Sequence, residues 1–140
     1  MLTLAIIKPD AMAAGRAGQV LAHLEAAGFV VRAARLVRLS RPEAEAFYAV
    51  HRDRPFFRSL VAFMTSGPCF PLALERDQAV SHLRTVIGAT DPAEAAPGTV
   101  RRLFAESKER NAIHASDSVE NAVREVAFFF TEGELARLAG

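Results

Sequence analysis

Arg110-Asn111-Ala112-Ile113-His114-Ala115-Ser116-Asp117-Ser118 is a polar stretch that runs into a helix start. A histidine just before a Ser-Asp-Ser cluster lies beside the backbone N–H groups and positive dipole end of the following helix, a place suited to an anion such as phosphate. Imidazole is neutral and nucleophilic near neutral pH, so His114 can attack phosphorus without a strong base, provided one ring nitrogen is free. The other nitrogen then needs an acceptor. Glu125, eleven residues on and near the end of the expected helix, can fold back to accept that N–H and fix the tautomer. A lone histidine near a helix start is more often a cap or packing residue, so its neighbours must decide.

Phosphoryl transfer is mainly positioning plus neutralisation of charge on phosphate oxygens. The chain has no Gly-x-x-x-x-Gly-Lys-Ser/Thr loop, no Gly-x-Gly-x-x-Gly fingerprint and no His-Glu-x-x-His helix, so such chemistry must use side chains. Lys8, Arg84 and Arg101 are the candidate cations. Lys8 follows an apolar run and precedes Pro9, which puts its amine at a strand end; the alternative is a surface lysine. Arg84 lies on a helix before Gly88, where a solvated face is the plain explanation, and Arg101 follows Gly98-Thr99 in a loop that can bend it inward.

The elements that must position these groups are read from periodicity and breakers. Leu2 to Ile7 predicts a strand ended by Pro9. Val20, Leu21, Leu24 and Ala27 recur at helical spacing before Gly28. Phe29 to Leu39 predicts a strand whose arginines at 32, 35 and 38 do not alternate cleanly. Ser40-Arg41-Pro42-Glu43 is a helix start, with Glu43 reaching back to Ser40, and that helix is expected to run to about Arg52. A helical piece through Phe57, Leu60, Val61 and Met64 follows, stopped by Ser66-Gly67-Pro68. Phe70 to Leu74 predicts a strand, 77–86 a helix, and 88–110 a mostly irregular and therefore functional loop with a helical turn at 100–105. Asp117 and Glu120 are expected to cap the next helix, Val126 to Phe130 has the apolar density of a central strand, and Thr131 with Glu134 opens a terminal helix. This order suggests an α+β sandwich of four strands with helices covering one face.

Asn111-Ala112-Ile113-His114-Ala115-Ser116-Asp117-Ser118 resembles the active-site signature of the nucleoside diphosphate kinases. Ile7-Lys8-Pro9-Asp10, Arg54-Pro55-Phe56-Phe57, Thr65-Ser66-Gly67-Pro68, Gly88-Ala89-Thr90-Asp91-Pro92 and Pro97-Gly98-Thr99-Val100-Arg101 resemble the family's other blocks in the family's order. The resemblance spans essentially the whole chain and implies a ferredoxin-like α/β sandwich with a four-stranded antiparallel sheet. It also implies ping-pong transfer of the γ-phosphoryl group of a nucleoside triphosphate, typically ATP, to a nucleoside diphosphate, through a pros-phosphohistidine at His114. In that reading Ser116 and Glu125 orient His114, and Tyr48 lies near it. Lys8 contacts the ribose and the transferred phosphate, Arg84, Thr90 and Arg101 contact phosphates, Phe56 stacks on the base, and Asn111 meets the sugar 3′-hydroxyl. Stacking would accept any base. Mg2+ is expected to arrive chiefly with the nucleotide phosphates and keep several waters. Asp117 is the weaker candidate to assist it, since capping alone explains that residue.

Four positions depart from the usual pattern. Ala11 and Ala115 stand where Gly is common, Arg102-Leu103 where Gly-Asp is usual, and Cys69-Phe70-Pro71 replaces a smoother aliphatic strand. A positive φ at either alanine would cost roughly 1 kcal/mol. His23, His51 and His82 have no matching partners and are expected to be surface or packing residues.

With 140 residues, 51% hydrophobic and 24% charged, the chain is sized for one globular domain, residues 1–140. Residues 1–60 hold nine Lys/Arg against five Asp/Glu and residues 61–140 eight against eleven. That asymmetry is too mild for nucleic-acid binding but leaves room for a local basic pocket. Cys69 is the one cysteine, which rules out an intrachain disulfide or thiolate zinc cluster and fits a reducing cytoplasm. No apolar run approaches a membrane span and no signal pattern precedes Lys8, so a soluble cytoplasmic protein is expected. The resemblance adds a homo-oligomer, tetramer or hexamer, with nucleoside tri- and diphosphates as partners. A scaffold that keeps the fold without turnover, or an RNA-binding module, are the rival classes; the aromatic-glycine run of the latter is absent.

Overall fold

The computed structural model describes residues 1–139. Its sheet contains β1 (Leu2–Ile7), β2 (Val30–Ala34), β3 (Phe70–Glu75) and β4 (Ile113–Ala115) in the order β2-β3-β1-β4. Every neighbouring pair is antiparallel, and Ile6 faces Pro71 on one side and His114 on the other. The helices are α1 (Pro9–Ala13), α2 (Ala17–Ala26), α3 (Arg41–Phe47), α4 (Phe57–Met64), α5 (Ala79–Ile87), α6 (Val100–Phe104), α7 (Val119–Phe129) and α8 (Glu132–Leu138).

Helices cover both faces of the sheet, not one. Leu4 and Ile6 of β1 pack with Phe47 of α3, Met64 of α4 and Val126 and Phe129 of α7. Ala5 and Ile7, pointing the opposite way as strand pleating requires, pack with Val20 and Leu24 of α2, Leu83 and Ile87 of α5 and Val100 of α6. The physical reason was present in β1 itself: Thr3 to Ile7 are all buried, and an almost unbroken apolar strand has no face left for water.

The fourth strand is also elsewhere than expected. Val126 to Phe130 ends α7 instead of forming a strand: Ala122, Glu125, Val126 and Phe129 are buried while Val123 and Phe128 are exposed, a helical period that the dense aromatic run concealed. The strand is Ile113–Ala115, with His114 at its centre. The cap of α7 is Ser118, whose hydroxyl accepts the Asn121 N–H at 3.0 Å. Asp117 lies before it, and Glu120 sits in the first turn without capping.

Two boundaries shorten. The strand expected at 29–39 is regular only over Val30–Ala34, with a register shift between Val31 and Ala33 and one further bridge, Val37 to Cys69. The bulge turns Arg32 onto Glu75, 2.6 Å away, which explains the broken alternation of the arginines. The helix expected from 40 to 52 has its capping box, Ser40 with Glu43, but stops at Phe47 and continues as a 3₁₀ turn, Ala49–His51. The capping box predicted for Thr131 with Glu134 is also formed.

Candidate active site

β1 ends at Ile7, so Lys8 emerges at the C-terminal end of the central strand, beside the antiparallel β4 that carries His114. α5 brings Arg84, the 88–110 loop brings Thr90 and Arg101, and the α3 and 3₁₀ segment brings Tyr48 and His51. These side chains line one cavity of about 590 Å³, together with Phe56, Asn111, Asp117 and Glu125. Every sequence-predicted site residue except Ser116 is on its wall, and Ser116 stands directly behind Glu125.

His114 Nε2 lies 2.7 Å from Glu125 Oε1, and the Ser116 hydroxyl donates to the same oxygen at 2.8 Å. Glu125 sits mid-helix in α7 and needs no fold-back: its position on the buried face of α7 aims it at β4. Burial opposes its ionised form, yet the bonds from His114 and Ser116 and the nearby Arg124 together hold its carboxyl below the usual range. An ionised acceptor fixes the proton on Nε2, which leaves Nδ1 with the lone pair. Burial in turn pushes the His114 pKa down, against the pull of Glu125. The ring is gripped edge-on by Phe47, centroids 5.3 Å apart, and by Tyr48 at 5.8 Å. The Tyr48 hydroxyl is buried without a hydrogen-bond partner among the described residues, and burial raises its pKa.

Three cations converge. Lys8 is 7% exposed and donates from Nζ to Asn111 Oδ1 at 2.9 Å. Burial and the neighbouring Arg101 bring its pKa down to about 8. Arg101 is buried, donating to the carbonyls of Gly88 at 3.0 Å and Ile113 at 2.8 Å; burial and Arg84 lower its pKa to about 10. Arg84 is exposed on α5 and reaches the Ala115 carbonyl at 3.4 Å. Like charges held together in a partly buried cavity repel one another, an arrangement that an arriving polyanion relieves. Phe56, 45% exposed, stands at the mouth against His51, centroids 5.4 Å apart.

The sequence reading missed His51, Lys108 and Asn121, all on the cavity wall. His51, expected as a surface or packing residue, packs between Tyr48 and Phe56 and also faces the cavity, which a single 3₁₀ turn is too short to show in the sequence. Asn121 donates to Asp117 Oδ1 at 2.6 Å and, being one helical turn from Asp117, was findable by spacing. Neither Ala11 nor Ala115 has a positive φ; among the described residues the non-glycine ones that do are Gln78 and Ala112.

A sequence model described as nucleoside diphosphate kinase matches residues 2–135. A nucleoside diphosphate kinase of Chlorobium chlorochromatii is 56% identical over 135 residues, 96% of either chain, and one of Bordetella petrii is 57% identical over 130 residues, 93% of this chain and 92% of that one. Among solved structures, the Aquifex aeolicus nucleoside diphosphate kinase superimposes with a TM-score of 0.93 at 45% identity, covering 95% of this chain and 96% of that one. The Halobacterium salinarum enzyme, solved in complex with CDP, gives 0.91 at 37% identity, over 96% and 90% of the two chains. With the four-stranded antiparallel sheet, the His114–Glu125 hydrogen bond in the cavity and these likenesses in hand, the chain belongs to the nucleoside diphosphate kinase family of phosphotransferases.

Proposed function

We propose that the protein transfers the γ-phosphoryl group of a nucleoside triphosphate to a nucleoside diphosphate, with Nδ1 of His114 as the relay atom. The observation that carries the assignment is the hydrogen bond from His114 to Glu125, which spends Nε2 and leaves Nδ1 for the cavity. The Nδ1 lone pair attacks the γ-phosphorus, the bond to the β-phosphate oxygen breaks, and the diphosphate leaves with that electron pair. Glu125 stabilises the positive charge that develops on the ring. A β-phosphate oxygen of the second diphosphate then attacks the same phosphorus, and the N–P bond breaks to restore the lone pair.

Lys8, Arg84 and Arg101 neutralise the oxygens as charge develops, Thr90 offers a neutral hydroxyl, and Tyr48 presents an unspent hydroxyl beside the relay. Asn111, held by Lys8, meets the ribose, and Phe56 stacks on the base. Mg2+ arriving with the nucleotide would supply charge screening at the phosphates, and Asp117, an exposed carboxylate on the cavity wall whose pKa Asn121 holds below the usual range, would be the residue to assist in holding it.

We further propose a homo-oligomer, tetramer or hexamer, working in the cytoplasm. No helix among the described residues is long and apolar enough to cross a membrane. The activity is tested by exchange of phosphate between ATP and GDP. Exchange lost in His114→Gln, with ATP binding retained, is the expected result, and exchange surviving that substitution would sink the nucleophile assignment.

A further inference from the structure

Resting on the reading of His114 as nucleophile, we propose that Asp10 is a positioning residue: its carboxylate holds the turn at Ala112 that sets Asn111 and His114 in reacting geometry. Ala112 has φ 73° and is fully buried. A residue with a Cβ rarely occupies this left-handed region, and here no glycine relieves it. The Ile113 N–H donates back to the Asn111 carbonyl at 2.9 Å, so the chain makes a three-residue turn of the strained kind, centred on Ala112, immediately before the strand that carries His114.

Both polar groups of Ala112 are tied to the segment after β1. Its N–H donates to Asp10 Oδ2 at 3.1 Å, across 102 positions of sequence, and its carbonyl accepts the Lys8 N–H at 2.8 Å. Without the carboxylate the Ala112 N–H would be buried and unpaired, and the turn would lose the bond that offsets its strain. One side of the turn is Asn111, whose side chain accepts from Lys8; the other is Ile113, whose carbonyl accepts from Arg101. A shift at Ala112 therefore moves the ribose contact, the phosphate cation and the relay histidine together.

Asp10 is itself 5% exposed with Oδ1 unpartnered among the described residues, a costly placement for a group whose only role were to sit in the first turn of the five-residue α1. A second role would be electrostatic support of the Lys8 charge. The two are separable, because Asn keeps the acceptor oxygen and loses the charge.

The experiment measures the rate of phosphoenzyme formation from γ-labelled ATP and the ATP dissociation constant, with melting curves, for the wild-type protein, D10N, D10A, A112G, D10A/A112G and H114Q. D10N is expected within about threefold of the wild-type rate and D10A about 10- to 100-fold slower, with ATP binding weakened as the ribose and phosphate contacts shift, the size of loss expected of a misplaced reacting group. Glycine adopts positive φ freely, so D10A/A112G recovers most of that loss while A112G alone stays near wild type, a non-additivity that general loss of structure does not produce. A D10A rate equal to wild type, a D10N rate as low as that of D10A, no recovery in the double variant, or failure of D10A and D10A/A112G alike to fold would each overturn the inference. Phosphoenzyme persisting in H114Q would overturn the nucleophile reading itself, and this inference with it.

Discussion

His114 works between two opposed demands, a low pKa so that Nδ1 keeps its lone pair, and a nearby anion so that the phosphorylated ring can carry positive charge. Burial supplies the first and Glu125 the second. The pH dependence of kcat/KM follows from His114 and Lys8. On the acid side the rate holds below the ordinary histidine pKa of 6.5 and falls only as the ring charges. On the alkaline side Lys8 loses its proton near 8, so the rate declines above that value. A profile that keeps climbing to about pH 10 would contradict both assignments. Lys8 also carries a stability cost. Between about 8 and 10.5 the unfolded chain keeps a proton that the folded chain has lost, so this residue makes stability rise with pH across that window. Lys8→Met is therefore expected to abolish transfer while raising the melting temperature by roughly 2–6 °C, after allowing for the bond it removes from Asn111. A variant that loses activity and stability together would mark Lys8 as structural.

At the scale of elements, the site depends on how α3, α5 and the 88–110 loop meet the end of the sheet. Phe47 of α3 is 1% exposed and packs on Tyr48, His114, Phe128 and Phe129. Phe47→Ala should cost about 3–5 kcal/mol in denaturant unfolding and slow transfer in the molecules that remain folded. Gly88 closes α5 at φ 89°, where a Cβ would come within 2.5 Å of the Thr99 hydroxyl and 2.8 Å of its Cβ. Gly88→Ala should destabilise by about 2 kcal/mol or more and move the carbonyl that Arg101 grips, so turnover falls with stability. Much of this level was legible in the sequence. The capping boxes predicted at Ser40-Glu43 and Thr131-Glu134 form, the one at Asp117-Glu120 does not, and Gly28, Gly67-Pro68 and Gly88 stop elements where they were expected to. What escaped was the position of the fourth strand. A three-residue strand containing a polar histidine shows no period to read, while Val126 to Phe130 offers five apolar residues whose helical spacing emerges only beside Ala122 and Glu125. The cavity wall from β1, α5 and the glycine loops was visible as motifs. His51 was not, because a single 3₁₀ turn is too short to declare a face.

On the scale of the whole molecule, the antiparallel order β2-β3-β1-β4 places the two chemically active strands, β1 and β4, side by side, with loops from distant parts of the sequence closing over their ends. All of the proposed contacts to nucleotide come from one chain. Specific activity is therefore expected to stay constant as the protein is diluted through the dissociation of any oligomer, followed by mass measurement at the same concentrations. Activity falling in step with mass would mean that assembly completes the site. The paired helical layers, one against Leu4 and Ile6 and the other against Ala5 and Ile7, leave β1 no freedom to shift register, because a slip of one residue would exchange its two buried faces. The sheet thereby fixes Lys8 relative to His114.

The central claim, a phosphoryl group carried on His114, is tested most directly by mixing the protein with γ-labelled ATP and magnesium, omitting acceptor, and mapping acid-labile label on the chain before GDP is added. The account predicts label on Nδ1 of His114 that leaves for GDP within the time of turnover. Label on another residue, or a folded protein that binds ATP and exchanges phosphate without ever carrying label, would contradict it.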